Sequence, residues 1–64
     1  MPLSGKEMLK LFLAEGWLIL RQTGSHIIVG KDHERETIPM HRELKRGLER
    51  ALLKRLQTRG DRVP

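Results

Sequence analysis

The chain contains no cysteine, so neither a disulfide nor a thiolate metal site supports its fold, which suits a reducing cytoplasm. Aromatic side chains are nearly missing as well, with one Trp, one Phe and no Tyr. That scarcity speaks against a platform of interleaved aromatics for stacking nucleic-acid bases and leaves Trp17 and Phe12 as core anchors. No apolar run approaches the ~18 residues of a membrane span, and the N-terminus shows no basic-then-apolar signal segment. A soluble cytoplasmic protein without a membrane partner is expected. Sixty-four residues exclude a second domain and a deep cleft. The expectation is one domain over residues 1–64, with a core at about 3–57, a frayed tail at 58–64 and a shallow surface site.

Cationic charge is plentiful, and it is unevenly placed. Residues 1–20 carry two basic and two acidic side chains and residues 21–40 three of each, while residues 41–64 hold eight basic and three acidic groups. The whole formal +5 therefore lies in the last segment. Such an excess reads as a surface for a polyanion, with nucleic acid the default candidate, or simply as the solvated face of a small domain.

Read in order, Ser4-Gly5-Lys6-Glu7 is a capping box, in which the Ser4 hydroxyl and the Glu7 carboxylate each serve the other's backbone amide. A helix follows, with Met8, Leu9, Phe12 and Leu13 on one face and Gly16 as a left-handed stop. Trp17-Leu18-Ile19-Leu20 is a strand whose two alternating sets are both apolar, which predicts cover on each side, by helices on one face and by a partner on the other. A second strand runs from His26 to Gly30 or Lys31, and residues 31–35 form a charged hairpin tip that includes His33. Glu36-Thr37-Ile38 returns as a third strand, ended by Pro39, which has no amide hydrogen for a ladder. After a short connection over residues 42–46, Gly47 opens a second helix. Leu48, Leu52, Leu53 and Leu56 fall on its core arc and Arg50, Lys54 and Arg55 on the opposite one. The predicted fold is α+β, in the order α-β-β-β-α. Its three-stranded antiparallel sheet carries both helices on one face, the layout of double-stranded-RNA-binding domains.

The stretch most able to carry chemistry is Arg21-Gln22-Thr23-Gly24-Ser25-His26. Gly24 with its small hydroxyl neighbours is turn chemistry, so His26 becomes the first residue of the second strand and shares a face with Ile28. An imidazole held beside a turn, with Arg21 just across it, can exchange a proton next to an anion at neutral pH. A strand histidine can equally serve packing or hydrogen bonding. Pro39-Met40-His41 brings a second imidazole to the end of strand three. Three histidines at different strand ends make a poor metal site, so neither a metal nor another cofactor is expected.

Taken together, these features resemble the HicA-type toxins of HicAB toxin–antitoxin systems, the YcfA-like family. The resemblance spans roughly residues 3–57. It rests on the helix ending in Glu15-Gly16-Trp17, on Arg21-Gln22 followed by Gly24-Ser25-His26, on Ile38-Pro39-Met40-His41, and on Glu43-Leu44-Lys45-Arg46-Gly47 leading into a leucine helix. It implies a small endoribonuclease that cleaves mRNA and arrests translation, held inactive by a HicB antitoxin. The family's catalytic histidine carries over onto His26. This chain departs from the family pattern at three places: Ile27 stands where many members have a second histidine, Leu48 follows Gly47 in place of Thr, and Glu49 occupies a usually apolar position.

On this reading His26 takes the proton of an RNA 2′-hydroxyl that attacks the adjacent phosphorus, a step that needs no metal and that DNA cannot undergo. Arg21, Lys45, Arg46, Arg50 and Lys54 are the expected RNA contacts. His41 is the candidate proton donor to the leaving oxygen, and Ser25 shapes the turn or assists. A non-catalytic RNA-binding module or a degenerate toxin using the same basic helix, and a protein-interaction domain built on the doubly apolar strands, remain as alternatives.

Overall fold

A computed structural model describes residues 2–61 and the side chains of residues 2–57. The elements are α1 (Gly5–Ala14), β1 (Leu18–Thr23), β2 (His26–Lys31), β3 (Glu34–Pro39) and α2 (Arg46–Asp61), and the three antiparallel strands lie in the order β1-β2-β3. The α-β-β-β-α order expected from the sequence is the one observed.

Each element begins and ends for a local reason. The Ser4 side chain accepts the Glu7 amide at 3.1 Å while the Glu7 carboxylate accepts the Ser4 amide at 2.9 Å, so the predicted capping box is complete. At the other end of α1 Gly16 takes φ +96°, and the Lys31 ammonium donates to the Glu15 carbonyl, placing a cation where the helix leaves its last acceptors bare. The backbone then enters Trp17, which is buried against Phe12 with ring centroids 4.9 Å apart in an edge-to-face arrangement.

One core holds the layers together. Met8 and Phe12 from α1, Ile27, Val29 and Ile38 from one face of the sheet, Leu52 from α2, and Trp17 and Leu44 from the connections are all buried. Because Ile27 and Val29 point to the helices, strand alternation turns His26 and Ile28 to the uncovered face.

Several details differ from the sequence reading. Trp17 precedes β1, which continues through Arg21, Gln22 and Thr23, because hairpin pairing with β2 carries those polar residues along. The helices of this chain leave that strand exposed throughout: it is an edge strand, with Leu18, Ile19 and Leu20 at 67%, 49% and 48% exposure. The β2–β3 turn shrinks to Asp32 and His33, so Glu34 and Arg35 belong to β3. Leu13 and Leu48 lie outside the core, since the buried line of α1 is Gly5-Met8-Phe12 and that of α2 is centred on Leu52. Arg55 leaves the solvent face, pairing with Glu34 at 3.2 Å and with Glu36. The α2 helix begins at Arg46, one residue before Gly47, and continues past Thr58 to Asp61. Residues 62–64 of the expected tail lie outside the described residues.

Glu49 has a specific use here. Its carboxylate accepts the Leu3 amide at 2.6 Å, while the Leu44 amide donates to the Leu3 carbonyl at 2.9 Å. Glu49 thus ties the N-terminal segment to the start of α2.

Candidate active site

The site is built where the β1–β2 turn meets the exit of β3. Gly24 takes φ +58°, which an L side chain would strain, and lets the chain reverse over Gly24-Ser25 so that His26 opens β2. His26 lies opposite Thr23 on one side and Pro39 on the other. The Met40 amide then donates to the Ser25 carbonyl at 2.6 Å, and the Gly5 amide donates to the His41 carbonyl at 2.8 Å. The segment Met40-His41 is thereby held between the turn and the first residue of α1. Its consequence is a pair of exposed imidazoles, His26 and His41, with ring centroids 6.5 Å apart and planes at 62°.

Arg21 reaches this face through an irregularity that periodicity could not reveal. Ile19 pairs with Val29 but Arg21 pairs with Ile28, so Leu20 is an extra residue in the ladder. Without it Arg21 would face Ile27 and turn toward the helices; the bulge carries it to the face of His26. The sequence reading placed Arg21 just across from His26. Thr23 occupies that position, and Arg21 is the diagonal neighbour, still within reach of a long side chain. Leu20 packs over Gly30 on the neighbouring strand, where an added Cβ would lie 2.6 Å from Leu20 Cδ1.

The remaining candidates separate into groups. Ser25 is exposed in the turn, where its carbonyl anchors Met40. Lys45 and Arg46 line a cleft of about 430 Å³ together with Glu43 and Glu49, so charges of both signs meet there. Arg50 and Lys54 line a shallow groove with Leu53 and Gln57 on α2. That helix packs on the opposite face of the sheet from His26, and the structure does not gather these two cations around the imidazoles. His33 lies in the turn at the far end of β2 and is likewise separate. Lys6 and Arg42, which the sequence reading passed over, line a third cleft with His41. A cation following His41 directly was the one available signal for Arg42; nothing local marked Lys6.

Fold and site together define a small basic α+β domain with two neighbouring imidazoles on an open surface. The family model for the HicA toxin of bacterial toxin–antitoxin systems matches residues 5–57, and the chain belongs to that family. The match includes all three strands and both imidazoles of the pair. No curated protein and no solved structure matches the chain. Among the described residues, no helix is long and apolar enough to cross a membrane.

Proposed function

We propose that this toxin is an endoribonuclease that cleaves mRNA through its two neighbouring histidines and is neutralised by a HicB-type antitoxin. The observation that carries the reading is the His26–His41 pair, exposed on one surface with 6.5 Å between ring centroids. A phosphate between the rings can contact both imidazoles, as general acid–base catalysis requires.

Neutral His26 takes the proton from the 2′-hydroxyl as that oxygen forms a bond to phosphorus. The bond from phosphorus to the 5′-oxygen breaks, and protonated His41 supplies the proton that the leaving oxygen needs. The products are a 2′,3′-cyclic phosphate and a 5′-hydroxyl, with one proton gained at His26 and one lost at His41. Arg21, on the same face, stabilises the charge that develops on the phosphorane oxygens. Two imidazoles carry both proton transfers, so cleavage proceeds without a metal ion. Pure protein incubated with single-stranded RNA in EDTA is expected to give cyclic-phosphate and 5′-hydroxyl ends. Products ending in 3′-hydroxyl and 5′-phosphate would refute the mechanism, and RNA retained without cutting would make the protein a binding module.

The antitoxin reading draws support from family membership and from β1. An edge strand presenting unpaired backbone together with exposed Leu18, Ile19 and Leu20 is the surface a partner would cover. Leu18→Lys combined with Ile19→Lys is expected to weaken the antitoxin complex at least about tenfold in a pull-down titration, since burying either charge is costly. An unchanged affinity would place the antitoxin elsewhere.

A further inference from the structure

The surface recesses formed by the described residues differ in charge and in what they touch. The cleft at Lys45 and Arg46 also contains Glu43 and Glu49, and the groove at Arg50 and Lys54 touches neither imidazole. The third, about 320 Å³, is lined by Ser4, Lys6, Met40, His41 and Arg42. It has two cations and no carboxylate. His41 forms part of its wall while His26 does not, so the cleft leads away from the pair on His41's side. Lys6 and Arg42 are both exposed, and among the described residues neither forms an ion pair.

Direction along the RNA follows from the roles of the two histidines. The base acts on the 2′-oxygen of the upstream nucleotide, and the acid acts on the 5′-oxygen of the downstream one. A strand crossing the pair from His26 to His41 therefore leaves on the cleft side, with its next phosphate one nucleotide beyond the scissile bond. We infer that the cleft is a subsite for this downstream phosphodiester, held by Lys6 and Arg42, with Met40 offering an apolar wall to the downstream nucleoside. The inference rests on the ribonuclease reading and on His41 as the acid. It gives the site a polarity: contacts beyond the scissile phosphate lie on the 3′ side.

The test uses the full chain and 2′-O-methyl oligonucleotides carrying a single ribonucleotide, so that only one bond can be cut. In one version the phosphodiester one step 3′ of that bond is a neutral methylphosphonate, and in a second version the replacement lies one step 5′. The wild-type protein is expected to lose at least about tenfold in kcat/KM with the 3′ replacement and little with the 5′ one, as charge-assisted phosphate contacts dictate. Lys6→Ala combined with Arg42→Ala should show the same loss on the normal oligonucleotide and no further loss with the 3′ replacement. Its dependence on salt should also weaken, by about 0.7 in the log–log slope for one phosphate contact. Equal cutting of all three oligonucleotides by wild type overturns the subsite while leaving the ribonuclease reading intact. A sensitivity to the 5′ replacement that the double variant abolishes reverses the polarity and overturns it too. Should the protein cut no RNA at all, the ribonuclease reading falls and the subsite falls with it.

Discussion

His26→Ala is expected to lower the rate of RNA cleavage by about 10²–10⁴-fold, the range over which a positioned general base acts. The fold should be unaffected, because His26 is exposed and its strand pairing is made by backbone groups. A loss of activity alone would not separate base from acid, so the comparison with His41→Ala carries the argument. A nucleoside 3′-phosphate esterified with 4-nitrophenol has a leaving group that needs no proton. On that substrate His41→Ala should approach wild-type rates, while His26→Ala should keep the deficit relative to wild type that it shows on RNA. Rescue of both variants, or of neither, would show that the two imidazoles do not divide the proton transfers as proposed.

How far this site was legible in the sequence follows from which forces are local. The capping box at Ser4, the stop at Gly16 and the turn at Gly24-Ser25 depend on residues within a few positions of each other, and each is found where the sequence places it. The alternation that turns His26 to one face and Ile27 to the other is equally local. Arg21 was legible only as a cation beside the turn, neither its place in β1 nor its face being marked. Its face is decided by Leu20 slipping out of register against the neighbouring strand. The same limit explains β1, where the run Trp17-Leu18-Ile19-Leu20, three of whose residues open the strand, suggests cover on both sides. Whether a strand is central or at the edge is settled by the order of the sheet, and here the hairpin leaves β1 outermost. Lys6 and His41 lie 35 positions apart in the chain, and they share a cleft because the Gly5 amide reaches the His41 carbonyl. Such a contact is made by tertiary packing and leaves no mark on periodicity.

That contact makes Gly5 the residue through which stability and activity are most tightly linked. Gly5 is buried, and an added Cβ would lie 1.9 Å from the Pro39 carbonyl oxygen and 2.8 Å from Met40 Cα. Both obstacles are backbone, so a rotamer change cannot relieve them, and α1 must move away from the end of β3. Gly5→Ala is therefore expected to destabilise by about 1–3 kcal/mol or more, as overpacking does, despite the better helix propensity of Ala. A small domain whose total stability is at best about 5–15 kcal/mol would feel this as a clear fall in the unfolding midpoint. Gly47→Ala is the control: Gly47 lies in the first turn of α2 with nothing within 4 Å of an added Cβ, and relief of chain entropy should leave stability equal or higher by about 0.4–1 kcal/mol. The consequence for chemistry is the more telling part. Moving α1 loosens the Gly5 hydrogen bond that holds His41, whereas His26 keeps its place through β2. Under conditions where Gly5→Ala remains folded, RNA cleavage should fall while the 4-nitrophenyl ester, which bypasses the acid, is turned over at nearly the wild-type rate. Equal losses on both substrates would mean that Gly5 supports the whole site, and that His41 is not placed by the start of α1.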